Sequence, residues 1–287
     1  MTGVRLLCRS LLFLICLAGI TLVAISLRIT DLFRRRPANR NPWASACFHQ
    51  ACRCLGWQIQ VHGQARTGAT LFVANHISWS DIPLLGGLVP GRFLSKAEVA
   101  DWPAIGWLAQ QAGTLFIRRG GGQARRVKTE IHARLEAGES VVVFPEGTTS
   151  SGIAVLPMHG LLLGAAKDAS VPVQPVTIGY RRNQRPDALA PFIGDDAFQT
   201  HLIRLLKQPP MQVVVIFHEP VTVNRDESTG DQMTGLHNTI SAGLKRIHQG
   251  DFDAGFAKTR LRTAGDPGQS HPVSHPDVRQ SQGQSTG

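Results

Sequence analysis

Leu11–Leu27 is a run of 17 uncharged, mostly apolar residues, and it limits what the first part of the chain can become. A helix needs about 17 to 25 apolar residues to cross a bilayer, so the run is long enough to cross or embed. A cleaved signal peptide is the alternative, since Ala24-Ile25-Ser26 resembles a cleavage site. The arginines after the run outnumber Arg5 and Arg9 before it; they are Arg28, Arg34, Arg35, Arg36 and Arg40. This bias favours a retained anchor over residues 1–40, with the rest of the protein at the cytoplasmic face of the inner membrane.

The chain is basic overall, which indicates an anionic partner. Lysine and arginine total 30 against 20 aspartates and glutamates, for a net charge of +10. Nucleic acid and an anionic membrane surface both attract such a chain. Only 6% of the residues are aromatic and the arginines are dispersed, so nucleic-acid binding is not expected. Membrane lipids are therefore the expected partner.

The five cysteines all lie within the first 54 residues, so thiol catalysis is not expected. Cys47, His49, Cys52 and Cys54 resemble a metal cluster at first sight, but their spacing matches no standard zinc pattern. We expect no metal site, and we expect no disulfide framework in a cytosolic chain.

From Trp57 onward, short apolar runs alternate with helical patterns. The candidate strands are Gln58–His62, Thr70–Ala74, Phe93–Leu94, Thr114–Ile117, Ser140–Phe144, Val171–Ile178 and Met211–Phe217, and the candidate helices are Gln123–Ala137, Leu161–Ala169 and Gln232–His248. Continuous apolar runs are typical of strands covered on both faces, so the pattern predicts an α/β fold with a layered, mixed or mostly parallel sheet flanked by helices. We expect this domain over residues 57–250. A helix over residues 41–56 precedes it, either amphipathic and interfacial or packed on the core, and a disordered polar tail over residues 251–287 follows it.

The segment Val73–Asp81 (VANHISWSD) carries the first candidate chemistry. A strand-like run stops at Asn75, His76 follows at once, and Asp81 stands at the start of the next apolar segment. A carboxylate that accepts one ring N–H of a histidine fixes its tautomer and leaves the other nitrogen free as a base. The alternative is structural, because Asp81 followed by Pro83 is also a good helix N-cap.

Three further stretches also fall where strands end. Gly113–Arg119 (GTLFIRR) delivers two arginines, whose planar forks fit a phosphate or a carboxylate. Phe144–Gly152 (FPEGTTSSG) places Glu146 among hydroxyls, where it can bind a polyol or anchor an arginine. Val171–Val176 (VPVQPV) contains two prolines, which predict an edge or irregular strand.

Together and in this order, the four stretches resemble the sequence blocks of the glycerolipid acyltransferase family typified by 1-acyl-sn-glycerol-3-phosphate acyltransferase. The resemblance covers about Trp57 to Pro220. It implies a membrane-bound O-acyltransferase that moves a fatty acyl group from acyl-CoA or acyl-carrier protein to the free hydroxyl of a lysolipid, without a cofactor. The acceptor implied first is 1-acyl-sn-glycerol-3-phosphate, which would give phosphatidic acid in phospholipid biosynthesis.

The resemblance also implies roles for individual residues. His76 is the general base and Asp81 its orienting partner, which agrees with the need to deprotonate a lipid hydroxyl that attacks a thioester. Arg119 binds the anionic head of the acceptor, and Pro172 shapes the wall of the site. The third block helps to form the acceptor site with Glu146, Gly147, Thr148 and Thr149.

Two departures from the family pattern leave alternatives open. Thr149 stands where many members carry an arginine, and Met158-His159 replace a Phe-Lys pair, so positive charge is lost where a phosphate would bind. A hydrogen bond to a charged group is worth about 1.5 to 3 kcal/mol, so the loss matters. EGTTSSG, Gln174 with Tyr180, and Ile193-Gly194-Asp195 resemble the lyso-ornithine-lipid acyltransferase branch, which makes that lipid an alternative acceptor. The alternative of another class is a non-catalytic membrane lipid-binding protein, while a serine hydrolase is not expected without a G-x-S-x-G elbow.

Overall fold

A computed structural model describes residues 2–34, 40–102, 104–117, 123–224 and 226–256. The strands are β1 Gln58–His62, β2 Leu71–Ala74, β3 Gly91–Lys96, β4 Leu115–Ile117, β5 Ser140–Val143, β6 Val173–Arg182, β7 Arg185–Pro186 and β8 Gln212–Phe217. Within the described residues they form one mixed sheet in the order β1-β8-β6-β2-β5-β3-β4, with β7 paired to β6. The layered α/β fold that the sequence predicts is confirmed.

Parallel neighbours bring two of the candidate motifs to one edge of the sheet. Strands β2 to β6 run parallel to one another, whereas β8 and β1 run in the opposite direction. Val73 of β2 lies beside Val143 of β5 in the parallel register. The chain therefore leaves both strands at the same edge, where the loop with His76 meets the loop with Glu146.

Helices cover both faces of this sheet. They are α1 Thr2–Leu32, α2 Asn41–Cys54, α3 Asp81–Gly86, α4 Ile105–Gln111, α5 Gln123–Glu136, α6 Leu163–Ala169, α7 Phe198–Lys207 and α8 Thr229–Gln249, with 3₁₀ turns at Ala97–Asp101 and Gly160–Leu162. Along β2, Leu71 and Val73 share a core with α5, α6 and α8, while Phe72 and Ala74 share a core with α2, α3 and α7. All four side chains are fully buried, and burying an aliphatic or aromatic side chain contributes about 1.5 to 3 kcal/mol.

The prediction of an edge or irregular strand at Val171–Val176 is wrong. β6 is a central strand, paired with β2 on one side and β8 on the other. The Pro175 carbonyl accepts the His218 N–H at 3.0 Å, but proline has no N–H to return. The side chain of Gln174 supplies the missing donor, because its Nε2 lies 2.8 Å from the His218 carbonyl oxygen. The sheet therefore tolerates a proline at the point where β8 ends.

The last described residues pack on the sheet. Phe252 and Phe256 are buried in a cluster with Val214, Ile216 and Ile247. The packed part of the chain therefore extends past residue 250, where the disordered tail was expected to begin. The rest of that predicted tail, residues 257–287, lies outside the described residues.

Helix α1 is a candidate membrane span that lies along the folded domain. Its segment Gly3–Leu32 is long and apolar enough to cross a bilayer, and only 6% of its most apolar window is buried in the protein. Near its start, Arg9 Nη1 donates to Gln208 O at 2.7 Å. Near its end, Arg28 Nη1 lies 3.5 Å from Gln111 Oε1. The helix is therefore held against the domain at both ends.

Candidate active site

Asn75 fixes the point at which the chain leaves β2. Its side-chain amide donates to Ile178 O at 2.9 Å and accepts from Ile178 N at 2.7 Å. These two bonds satisfy backbone groups of β6 that β2 has stopped pairing with. His76, the next residue, therefore starts its loop from a position set by β6.

The structure brings His76 and Asp81 together. His76 Nδ1 lies 2.8 Å from Asp81 Oδ2. Because an ionised carboxylate only accepts hydrogen bonds, Nδ1 carries the proton and Nε2 is the basic nitrogen. In the described part of the chain no protein group hydrogen-bonds to Nε2, and 18% of the side chain is exposed. The Nε2 atom of the ring is therefore available to accept a proton.

Asp81 is completely buried, and four hydrogen-bond partners contact the two oxygens of its carboxylate. Besides His76, Oδ2 accepts the backbone N–H groups of Ile77 at 2.7 Å and Ser78 at 2.9 Å. Oδ1 accepts the hydroxyl of Tyr180. The N-cap alternative does not describe this residue, because α3 begins at Asp81 itself and the carboxylate bonds to residues before the helix. Asp81 can therefore orient the imidazole and stabilise a positive charge on it.

Glu146 joins the loop after β5 to the loop after β2. Its Oε1 accepts the His76 N–H at 2.7 Å, and its Oε2 accepts the Leu156 N–H at 2.9 Å. Burial raises the pKa of this carboxyl above its ordinary value, although both backbone bonds act in the opposite direction. Glu146 therefore supports the backbone of the site from within. Its expected contact with the acceptor stays a prediction.

Two further contacts hold His76, one at its ring and one at its backbone. The ring stacks on Phe144, with ring centroids 4.1 Å apart and an angle of 16° between the planes. The His76 carbonyl accepts the Ser150 N–H at 2.8 Å. The ring and the backbone of His76 are therefore held in one arrangement.

The other residues expected at the site lie in different surroundings. Gly147 and Thr148 are exposed, and Gly147 has a φ of +67°, which favours glycine. The Thr149 hydroxyl donates to Phe192 O and so fastens its loop to the segment before α7. Arg119 lies outside the described residues.

Pro172 is not part of this site, so the prediction that it shapes the wall is wrong. Its carbonyl accepts the N–H of Leu71 at 3.1 Å, at the start of β2. His76 follows the other end of β2. The fourth sequence block spans the start of β6, which lies at the opposite end of the parallel strands from His76. Belonging to that block therefore does not place Pro172 near His76.

Trp79 and His201 form a part of the site that sequence analysis missed. Trp79 Nε1 donates to His201 Nδ1 at 2.9 Å, and His201 is completely buried. Because an indole N–H only donates, His201 Nε2 carries the proton and donates to Pro191 O at 3.0 Å. Burial lowers the pKa of His201, which agrees with a neutral ring. The only signal in the sequence is the tryptophan inside the motif. Nothing there indicates that its partner, His201, lies 122 residues further along the chain.

An apolar cavity of about 220 Å³ lies beside the loop after β2. Helix α1 lines it from Phe13 to Leu27, a span of about 21 Å at 1.5 Å per residue. The loop contributes Trp79, three residues after His76, to the same wall. At the Leu27 end, Arg40 Nη1 donates to Gln111 Oε1 at 2.9 Å. The cavity is therefore a long apolar space with polar groups at one end.

Metal ligands are not assembled in the part of the chain that the structure describes. No group of three or more His, Cys, Asp and Glu side chains is arranged there to hold a metal ion. The cysteines are all free thiols, and Cys16 and Cys52 are buried.

An imidazole held by a buried carboxylate, in a loop whose Trp79 lines an apolar cavity, can take the proton of a hydroxyl group. Together with the mixed α/β sheet, this site defines an enzyme of the acyltransferase class. The apolar cavity and the exposed apolar face of α1 agree with a lipid substrate.

Comparisons with known proteins identify the family. The sequence profile described as Acyltransferase matches residues 58–179. The chain is 50% identical to a lyso-ornithine lipid O-acyltransferase of Pseudomonas aeruginosa over 59% of this chain and 66% of that protein, and 33% identical to one of Rhodobacter capsulatus over 80% and 86%. The crystal structure of the 1-acyl-sn-glycerophosphate acyltransferase PlsC of Thermotoga maritima shares the fold, with a TM-score of 0.65 and 24% identity over 86% of this chain and 98% of that chain. The protein belongs to the lysolipid acyltransferase family.

Proposed function

We propose that the protein transfers a fatty acyl group to the free hydroxyl of a lyso-ornithine lipid, with His76 as general base. The observation that carries the proposal is the 2.8 Å bond between His76 Nδ1 and Asp81, which leaves Nε2 free in a loop whose Trp79 lines an apolar cavity. The donor is a thioester, either acyl-CoA or acyl-carrier protein. The chemistry requires no cofactor.

The reaction follows from the protonation states of the two side chains. His76 Nε2 takes the hydroxyl proton as the acceptor oxygen attacks the thioester carbonyl carbon, and the carbonyl electron pair moves onto its oxygen. When the tetrahedral intermediate collapses, the C–S bond breaks and the imidazolium returns the proton to the leaving thiolate. Asp81 stays ionised throughout and stabilises the imidazolium, because its hydrogen bonds favour the anion.

The third sequence block favours an acceptor with an amino-acid head over one with a phosphate. Thr149 replaces an arginine common in the family, and its hydroxyl is already bonded to Phe192 O. Met158 and His159 stand where a lysine is common. Two relatives named lyso-ornithine lipid O-acyltransferases support the same acceptor. The second candidate is 1-acyl-sn-glycerol-3-phosphate, the acceptor implied first by the sequence and the substrate in the name of the Thermotoga maritima enzyme.

The apolar cavity is the place we propose for the acyl chain of the donor. Its thioester end lies toward Trp79, because Trp79 belongs to the loop that carries His76. Its terminal methyl lies toward Gln111 and Arg40. An alkyl chain buried there gains about 0.8 kcal/mol for each methylene removed from water.

We also propose that α1 embeds in the cytoplasmic leaflet of the cell membrane. Arg9 and Arg28 hold the helix along the domain, so its exposed apolar face enters the bilayer while the domain stays at the surface. Phe33 and Trp43 are exposed beside it, and aromatic side chains are favoured at the headgroup boundary. Lysolipids could then reach the active site while their acyl chains stay in the membrane.

A competition assay tests the acceptor. Membranes containing the protein receive a radiolabelled acyl donor together with lyso-ornithine lipid and 1-acyl-sn-glycerol-3-phosphate, and membranes without the protein are the control. We expect label mainly in ornithine lipid, with parallel reactions on acyl-CoA and acyl-carrier protein identifying the donor. Label mainly in phosphatidic acid would overturn the proposed acceptor. Binding to anionic vesicles with no transfer to either lipid would favour the non-catalytic alternative.

A further inference from the structure

Tyr180 of β6 reaches the far oxygen of the acid that orients His76. It is buried; its hydroxyl donates to Asp81 Oδ1 and lies 3.0 Å from Ser80 Oγ. A phenol has one proton and a carboxylate only accepts, so that proton points to Asp81 and the Ser80 hydroxyl donates to Tyr180. The result is a chain of bonds from Ser80 through Tyr180 to Asp81, in which each donor polarises the next.

The phenol is a permanent donor. Burial, and next the negative charge of Asp81, raise the pKa of Tyr180 well above its ordinary value. It therefore stays protonated wherever the enzyme works. Unlike an amine or an imidazole in the same place, it adds no charge to the site.

The two oxygens of Asp81 are held unequally. Oδ2 accepts from His76, Ile77 and Ser78, whereas in the described part of the chain the donor found on Oδ1 is Tyr180. Loss of that donor leaves the orientation of the carboxylate about its Cβ–Cγ bond to be set at Oδ2 alone. It also leaves more negative charge on the group that faces the imidazole. Both effects reach His76 through the bond at Nδ1.

We propose that Tyr180 is a positioning residue for acyl transfer, which fixes the orientation of Asp81 and limits how strongly His76 holds a proton. The proposal rests on the proposed role of His76 as general base. A carboxylate with one donor fewer attracts an imidazolium more strongly, so the ring keeps its proton to a higher pH. Other titratable groups that face the pair are Glu146, from the segment after β5, and Cys52 of α2 near the phenol.

The composition of the chain allows a test in both directions. Tyr180→Phe removes the donor and keeps the ring, while growth on 3-fluorotyrosine strengthens the donor at this residue alone, because the chain contains one tyrosine. The measurement is kcat/KM for acyl transfer against pH, whose acid limb reports the base of the free enzyme. We expect the acid limb of the Tyr180→Phe profile to shift to higher pH, by on the order of half a pH unit. We expect the plateau kcat of Tyr180→Phe to fall about tenfold with little change in KM. The acid limb of the fluorinated enzyme should shift to lower pH.

Ser80→Ala is the matched control, since it removes the other partner of the phenol and keeps the Tyr180–Asp81 bond. It should shift the acid limb less than Tyr180→Phe does. A purely structural role would lower the amount of folded enzyme without moving the acid limb, so unchanged profiles for both Tyr180 changes, or shifts in the same direction, overturn the proposal. If Tyr180→Phe does not fold, the fluorinated enzyme decides alone: an acid limb that stays in place or moves up overturns the proposal. A His76→Ala variant that retains its activity would instead refute the proposed base, which separates the two failures.

Discussion

The His76 N–H donates to Glu146 Oε1 at 2.7 Å across 70 residues of sequence. The bond ties the loop that carries the base to the loop after β5. Because the other oxygen of Glu146 accepts the Leu156 N–H, one carboxylate sets the distance between the two loops. Glu146, which the sequence predicts to bind the acceptor, supports the backbone of His76 in the structure.

Glu146→Gln should lower kcat and leave KM for the acceptor nearly unchanged. An amide has one acceptor oxygen, so its NH₂ group must face either His76 N–H or Leu156 N–H, and an unsatisfied buried donor costs roughly 1 to 3 kcal/mol. Steady-state kinetics and the thermal midpoint in detergent measure the two effects. A raised KM with normal kcat and stability would instead support the direct contact with the acceptor that the sequence predicts.

Stability should fall as the pH drops below about 6.5, and His201 should contribute to the fall. Burial lowers the pKa of His201 in the folded protein, so between that pKa and the unfolded value of about 6.5 the unfolded chain binds more protons. Stability from the neutral ring is therefore complete above the unfolded pKa and is lost as the pH decreases. Protonation of Nδ1 also removes the acceptor for Trp79 Nε1.

His201→Gln isolates this contribution, because the amide can still donate to Pro191 O and does not titrate. The free energy of unfolding should depend less on pH in the variant than in the wild type between about pH 6.5 and pH 5. Denaturant titrations at several pH values measure both slopes. Equal slopes would show that His201 does not titrate on unfolding in this range.

Gln174 and Pro175 should be energetically coupled. Gln174→Ala removes the donor to His218 O and leaves buried backbone groups unsatisfied, at a cost of roughly 2 to 3 kcal/mol. Adding Pro175→Ala restores an N–H that faces the same carbonyl. The double variant should therefore be about 1 kcal/mol more stable than the sum of the two single effects predicts. Pro175→Ala alone should cost about 0.4 to 1 kcal/mol through the freer unfolded chain. Additive effects in denaturant unfolding would refute the compensation.

Gln111 should limit the length of the acyl chain. Gln111→Ala opens space at the Leu27 end of the cavity, and each methylene accommodated there is worth about 0.8 kcal/mol, or roughly a fourfold gain in kcat/KM. Competition between acyl donors of increasing length measures the preference. Gln111→Leu, which fills the same space, is the control and should not lengthen the preferred chain. An unchanged preference in Gln111→Ala would place the acyl chain elsewhere.

Local patterns predicted the fold and the contact between His76 and Asp81 well. Strands such as Gln58–His62 and Ser140–Val143 are short apolar runs between breakers, and their bounds agree with the sequence to within a residue. His76 and Asp81 lie close together because they are five residues apart around one turn. Such features need no knowledge of the rest of the chain.

Features that depend on distant partners were not predictable. The central place of β6 contradicts the usual effect of Pro175, since it needs a donor from Gln174 whose direction only the assembled sheet defines. Tyr180 lies 99 residues from Asp81, and an isolated tyrosine in an apolar strand is typical of any core. Burial of Glu146 likewise follows from the meeting of two loops, which the sequence around it does not encode.

Single-turnover acyl transfer by His76→Ala in detergent-solubilised enzyme tests the proposed mechanism most directly. A general base contributes roughly 10² to 10⁴ in rate, so the variant should lose at least a hundredfold while its fold and its affinity for the donor persist. Asp81→Asn should lose less but remain strongly impaired, because its amide no longer stabilises the imidazolium. A rate near that of the wild type in His76→Ala would contradict the assignment of the base.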